Sequence, residues 1–251
     1  MWELLPTERV RAFVLRHDGR DQSHVDLDDP TYLAFDYVRR MGDVVDVLAG
    51  PGVPVRVVHV GGAGMTLPRY VAATRPTSAQ VVLEPDTEVT ELVRARLPLP
   101  RRSGIKVRPV DGRAGVAALP EGRADLVVLD AYADGRVPDD LVTLEQAAAI
   151  ARALAPAGHY LLNLSDRAPF AHTRRVVAGV RAHFPHLALG AEPATLRGRR
   201  EGNLMLWAGR VALPVAALRR RASASPAPYR VLDGRLVSDS FGGGAPFRQP
   251  G

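Results

Sequence analysis

Between residues 55 and 165, short apolar runs alternate with amphipathic stretches. The runs are VRVVHV (Val55–Val60), QVVLEP (Gln80–Pro85), IKVRPVD (Ile105–Asp111), ADLVVLDA (Ala124–Ala131) and HYLLNLS (His159–Ser165). Each is short for a helix and too continuous for a half-exposed strand, so each predicts a strand buried on both faces. Helical spacing fills the intervals at Pro68–Thr74, Thr87–Arg96, Arg113–Leu119 and Thr143–Leu154, and again in APFAHTRRVVAGVRAHF. HLALGAE and GNLMLWAG read as two closing strands. Strict alternation of strand and helix implies a parallel, doubly wound sheet with right-handed crossovers. The expected fold class is therefore α/β, with a mostly parallel, seven-stranded, Rossmann-like sheet.

The flanks follow other patterns. RVRAFVLRHDGRDQSHVDLDD predicts a small β-hairpin around His17-Asp18-Gly19-Arg20. PTYLAFDYVRRMGDVVDVLAG predicts a helix with Pro30 near its start and Gly50 past its end. From Ala222 the chain is rich in Pro, Ser and Gly and predicts an irregular tail, packed over the domain by Tyr229, Val231, Leu236 and Phe241. The expected organisation is a hairpin and linking helix over 1–50, a nucleoside-binding domain over 51–221 and the tail over 222–251. There is no internal repeat.

Composition narrows the class. With 251 residues, 46% of them hydrophobic, the chain can bury a full core. It has no apolar run of bilayer length, no signal-peptide layout at its start and no cysteine. A cytoplasmic protein is the expectation, without thiol chemistry, membrane contact or a metal. The formal charge of +6 invites a nucleic-acid reading. The cations, however, are arginines with Lys106 as the one lysine, they are scattered, and aromatics make up only 6%. Without aromatic interleaving no base-stacking platform forms, and no nucleic-acid partner is expected. Acids gather at Asp18, Asp21, Asp26, Asp28 and Asp29, and again at Asp130, Asp134, Asp139 and Asp140. Such segments attract a cationic small molecule. Taken alone, they read first as loop polarity and caps.

In an open α/β sheet, ligands bind beyond the carboxyl ends of the strands. Four successive ends here carry glycines or a carboxylate: GGAGMT from Gly61, then Glu84, then Asp111-Gly112-Arg113, then Asp130. Gly61, Gly62 and Gly64 permit a sharp turn with no Cβ between backbone and ligand. Thr66 is a candidate cap for the helix that follows, with Pro68 in its first turn. An acid about twenty residues beyond a glycine loop suits a ribose, whose two hydroxyls Glu84 can accept together. Asp111 is both a helix N-cap and a candidate acceptor for an exocyclic amine of a nucleobase. Asp130 closes the apolar run LVVL and is the strongest catalytic candidate. The third glycine of G-x-G-x-x-G is missing, and there is no hydride-transfer residue pair. An adenosyl sulfonium therefore fits better than a dinucleotide.

The motifs DGRDQSHVDLDDPTY, HVGGAGMTLPRY, VVLEPD, VDGRAGVAALPEGRADLVVLDAYADGRVP, LVTLEQ and LAPAGHYLLNL, spread over 14–208, resemble the spermidine synthase (polyamine aminopropyltransferase) family, in its divergent bacterial branch. That family has the class I S-adenosylmethionine-dependent methyltransferase fold. The resemblance implies aminopropyl transfer from decarboxylated S-adenosylmethionine to a small amine acceptor. S-adenosylmethionine-dependent methyl transfer and a non-catalytic nucleoside-binding protein are the alternatives, and a homodimer is an expected assembly. It implies that Gln22 approaches the thioether end of the nucleoside. Gly61 and Gly62 form the cofactor loop, Glu84 holds the ribose, and Asp111 and Gly112 flank adenine. Asp130 matches the first acid of the family's DSSDP stretch, and Tyr32, Tyr132 and Asp134 are implied on the acceptor side. Gly64 stands where the family's loop carries an Asp, and Tyr32-Leu33-Ala34 replaces its YHE or YQE segment.

Overall fold

The computed structural model describes residues 1–133 and 135–249. Its N-terminal part is a three-stranded antiparallel sheet, β1 (Trp2–Pro6), β2 (Ala12–His17) and β3 (Arg20–Asp26). The expected hairpin is β2–β3. The third strand is WELLP, which pairs β1 with β2 through Leu4 opposite Leu15. Its proline, Pro6, and its charged neighbours hid it, since an edge strand tolerates both.

Helix α1 runs only over Asp36–Leu48. The expected start at Pro30 fails because local carboxylates take the backbone donors. Asp26 Oδ1 accepts from Asp28 and Asp29 N–H, and Asp29 Oδ1 accepts from Thr31 N–H, a set of turns that competes with helix.

Strands and helices then alternate as the apolar runs predict: β4 (Arg56–Val60), α2 (Thr66–Thr74), β5 (Ala79–Leu83), α3 (Thr87–Arg96), β6 (Ile105–Arg108), α4 (Gly112–Ala117), β7 (Ala124–Leu129), α5 (Leu144–Ala153) and β8 (Leu154–Asp166). They are followed by α6 (Ala171–Arg181), β9 (His186–Ala191), α7 (Pro193–Leu196) and β10 (Gly202–Gly209). The chain ends with α8 (Val215–Ala224), β11 (Arg230–Asp233) and α9 (Gly234–Phe241). The main sheet has the order β11-β9-β10-β8-β7-β4-β5-β6. The five strands from β4 to β8 are parallel, while β10 runs antiparallel to both β8 and β9.

Among the described residues the sheet thus has eight strands, one more than the seven expected. The extra strand comes from the segment read as an irregular tail. Arg230-Val231-Leu232-Asp233 pairs with β9, and Val237 and Phe241 of α9 are buried. Pro, Ser and Gly on either side masked this short alternation. Pairing it covers an edge that would otherwise expose unpaired N–H and C=O groups.

Two apolar layers enclose the sheet. One face packs Val60, Leu83, Val127 and Leu162 against α4, α5, α6 and α9, and the other packs Val57, Leu126, Leu161 and Trp207 against α1, α2 and α8. A third cluster, with Leu15, Val25, Met65, Val89 and Val93, joins the N-terminal sheet to α3. After β4 the chain builds outward to β6, then returns to lay β7 on the other side of β4. That reversal opens a crevice between the carboxyl ends of β4 and β7, the place where such sheets take ligands.

Candidate active site

The crevice is closed at its base by a backbone contact. Gly61 follows β4 with φ +89, and its N–H bonds Leu83 O at 2.9 Å. A Cβ built there would come within 3.0 Å of Ala131 Cα and closer still to the Asp130 carbonyl. Gly62 and Gly64 are filled by protein as well: a Cβ at Gly62 would meet Val82 Cγ1 at 2.6 Å, and one at Gly64 would meet Ser23 Cβ at 2.8 Å. The glycines let β4 approach β7, β5 and β3. Their cradles are occupied by the chain itself, so the cluster is first a packing device. Thr66 does not cap α2. Met65, at φ +59, holds the cap position, and the Thr66 hydroxyl donates to His24 O at 2.8 Å.

Glu84 organises the loop. Its Oε2 accepts from Gly62 N–H at 2.9 Å and Ala63 N–H at 3.2 Å, and its Oε1 accepts from Asp86 N–H at 3.0 Å. A carboxylate offers about four acceptor sites. These bonds therefore leave room for one further donor, on Oε1, with the glycine loop held in place by the same side chain. Asp111 is exposed and caps α4, accepting from Ala114 N–H at 2.9 Å. Gly112 begins α4, and a Cβ there would run into Val60 Cγ1, so this glycine brings the helix onto β4.

Asp130 stands at the end of β7, its N–H bonded to Val60 O at 2.9 Å. Burial pushes its carboxyl up to about 6, against a hydrogen bond from Asn163 Nδ2 to Oδ1 at 3.0 Å that favours the charged form. Asn163 in β8 receives in turn a bond from Asn203 Nδ2 in β10 at 3.1 Å. The two asparagines are diagonal neighbours on one face, because Asn163 lies opposite Met205. The Tyr132 hydroxyl is buried and has no hydrogen-bond partner among the described residues. Burial, then the charge of Asp130, raises its pKa; the Asn203 side chain opposes this from nearby without meeting hydrogen-bond geometry. Tyr37 of α1 is also shifted upward, first by burial and then by Asp130 and Tyr132. Its hydroxyl lies 3.4 Å from the carbonyl of Gln22, which brings β3 to the same crevice.

The other expected acceptor residues are placed differently. Tyr32 is 40% exposed, with the Arg9 guanidinium 4.1 Å from its ring centre and the His24 ring at 5.6 Å. Tyr37, five residues on, is instead within electrostatic reach of Asp130, as is Tyr132. Asp134 lies outside the described residues. A cleft of about 480 Å³, lined by Ala133, Arg136, Pro138 and Asp139, lies against the segment that follows Asp130. Sequence reading missed Tyr37, Asn163 and Asn203. The asparagines had a signal: each interrupts an apolar strand, LLNLS and GNLMLWAG. A buried amide in a strand is expected to have a partner. Among the described residues no group of three or more His, Asp or Glu is placed to hold a metal, and no helix is long and apolar enough to cross a membrane.

The switch-point crevice, the glycine loop and the acids at successive strand ends define the class. This is a Rossmann-like fold of the methyltransferase type. Human methyltransferase-like protein 13, in complex with SAH, shares that fold at a TM-score of 0.61 and 23% identity, over 77% of this chain and 94% of its own. The likeness is greater to a probable spermidine synthase from Corynebacterium glutamicum, with a TM-score of 0.92 and 26% identity over 100% of this chain and 93% of the other. In sequence, a polyamine aminopropyltransferase of Chromobacterium violaceum is 27% identical over 143 residues, 57% of this chain. The match covers 53% of that protein, so the chain spans about half the length of the curated relative it matches. No family model matches the sequence. The resemblance to spermidine synthases carried by the motifs therefore extends over the whole fold.

Proposed function

We propose that the protein is a transferase that moves an aminopropyl group from decarboxylated S-adenosylmethionine to an amine acceptor. The observation that carries this reading is the Asp130 carboxyl. It sits at the switch point, one oxygen is held by Asn163, and the other has no partner among the described residues. The likeness to the polyamine aminopropyltransferase and the probable spermidine synthase supports the same chemistry.

The residues fit a thioether nucleoside. Glu84 has acceptor capacity left for a ribose hydroxyl beside the loop of Gly61 and Gly62. Asp111 and Gly112 are assigned to the adenine edge, and Gln22 to the sulfur end. The bound donor supplies a methylene carbon activated by its sulfonium; attack by the amine forms a C–N bond and breaks the C–S bond, whose electron pair stays on sulfur. An ammonium cannot attack, so a base must free the nitrogen lone pair. Asp130 is assigned that role: it holds the acceptor's cation, takes the proton on Oδ2, and is poised near neutrality by its buried position. The unpartnered Tyr132 hydroxyl and Tyr37 shape the approach of the amine. Positive charge on sulfur vanishes in the step, so orientation contributes more than oxyanion stabilisation.

Methyl transfer from S-adenosylmethionine is the second reading. It is favoured by Gly64, which stands where the resembling family's loop carries the acid for the aminopropyl end. Calorimetric titration with both donors separates the two. Tighter binding of the decarboxylated form supports aminopropyl transfer, and preference for S-adenosylmethionine favours methyl transfer.

A further inference from the structure

Asn203 has no part in the chemistry assigned above, yet with Asn163 it forms a directed chain to Asp130. Asn203 Nδ2 donates to Asn163 Oδ1 at 3.1 Å, and Asn163 Nδ2 donates to Asp130 Oδ1 at 3.0 Å. An amide that gives its oxygen to one neighbour must present its N–H₂ to the other, so the first bond fixes the orientation of the second. Asn163 is 1% exposed and cannot recruit bulk water as a substitute donor. The far end of the chain is anchored too. Arg40 of α1, 2% exposed, lies 3.4 Å from the backbone carbonyl of Asn203 and donates to Glu192 Oε1 at 3.1 Å, and Glu192 also pairs with Arg200.

We propose that Asn203, acting through Asn163, is a positioning device that locks Oδ1 of Asp130 as a hydrogen-bond acceptor from the sheet and leaves Oδ2 as the oxygen that takes the acceptor's proton. The chemical meaning of this device rests on the aminopropyl-transfer reading; the hydrogen-bond chain itself does not. Without the Asn203 bond, the Asn163 amide is free to turn its oxygen toward the carboxylate, which repels the charged form of Asp130. The titratable groups whose charge couples to Asp130 are the hydroxyls of Tyr37 and Tyr132, and both are held neutral by burial. The Arg40 cation faces the chain at Asn203 and is neutralised by Glu192. The amide chain is thus the one polar influence on Asp130 from the β8 and β10 side among the described residues.

The test follows the Asp130 carboxyl by carbon-13 NMR titration in the wild type, in Asn163→Leu and in Asn203→Ala, alongside the pH profile of transfer and the affinity for methylthioadenosine. The wild-type midpoint is expected at about 6. N163L should raise it by roughly one unit, the effect of losing one hydrogen bond to a charged group. N203A should raise it by roughly half as much, with nucleoside affinity unchanged in both variants. The acid limb of the transfer rate should move upward with the midpoint. Asn203→Ala keeps the Asn163 side chain beside Asp130, so it keeps the test decisive if N163L fails to fold. An unchanged Asp130 midpoint in folded N203A or N163L overturns the proposal. The titration needs no turnover: a wild type that transfers no aminopropyl group sinks the proposed function alone, and unmoved midpoints with intact transfer sink the relay alone.

Discussion

Replacing Glu84 with Ala would remove one side chain that serves two purposes, and the structure gives a size for each. Three backbone N–H groups lose their acceptor, those of Gly62, Ala63 and Asp86, now bonded at 2.9, 3.2 and 3.0 Å. A hydrogen bond to a charged group contributes about 1.5–3 kcal/mol when water cannot replace it. All four residues are only half-buried, so water recovers part of the loss, and the net destabilisation is about 2–4 kcal/mol. Nucleoside binding loses the remaining Oε1 acceptor and the ordered loop together, about 1–3 kcal/mol, or roughly 5–150-fold in affinity. Glu84→Gln separates the effects. Its oxygen can still serve Asp86 N–H and a ribose hydroxyl, but its NH₂ cannot accept from Gly62 and Ala63. E84Q should therefore lose stability while keeping more affinity than E84A. Urea denaturation reads the first quantity, and calorimetric titration with methylthioadenosine reads the second. Wild-type midpoint and affinity in E84A would refute the assignment of Glu84 to both loop and ribose.

Gly61→Ala places a Cβ against the Asp130 backbone at φ +89, and should destabilise the fold by about 2–5 kcal/mol in urea denaturation; a loss below the error of the fit would show that β4 and β7 can separate freely. The folded pKa of Asp130, about 6, lies above its ordinary value of 3.8, so the wild type loses stability as pH rises between these values. Asp130→Asn should consequently be more stable than the wild type at pH 8, by at most about 3 kcal/mol, and should lose that advantage below about pH 4; equal stability at both pH values would contradict the burial of the charge. Phe247→Ala removes a 6%-exposed ring lying 5.2 Å from His172 and 3.7 Å from the Arg175 guanidinium, and should lower stability by about 2–4 kcal/mol; an unchanged Tm would show that the segment after α9 contributes nothing to the fold.

The parallel core of the fold was legible because doubly buried strands read as continuous apolar runs. VVL and LVVL fall inside β5 and β7, and the run Thr87–Arg96 is α3 to the residue. Legibility failed where local polar groups decided the backbone. Asp26 and Asp29 delayed α1, and the proline-bearing β1 and the short β11 gain stability from pairing that no local pattern announces. In the site, the acids at strand ends could be read because topology places such ends together. Tyr37 could not be read: its relation to Asp130 depends on where α1 begins, six residues later than Pro30. In the sequence Gly61, Gly62 and Gly64 suit a ligand, and the structure gives them a packing reason that any close approach of strand ends would demand.

The central claim is that Asp130 frees an amine for attack on the aminopropyl donor. Single-turnover transfer, followed as methylthioadenosine release from decarboxylated S-adenosylmethionine, tests it most directly when wild type and Asp130→Asn are compared over a panel of diamines, polyamines and neutral acceptors. The substitution keeps the side-chain shape and leaves its oxygen available to Asn163 Nδ2, so nucleoside affinity should survive. The account predicts transfer by the wild type to a cationic amine, with an acid limb near pH 6, and a fall of about 10²–10⁴-fold in the variant. Equal rates for the two proteins, or no transfer by a wild type that binds the nucleoside normally, would contradict it.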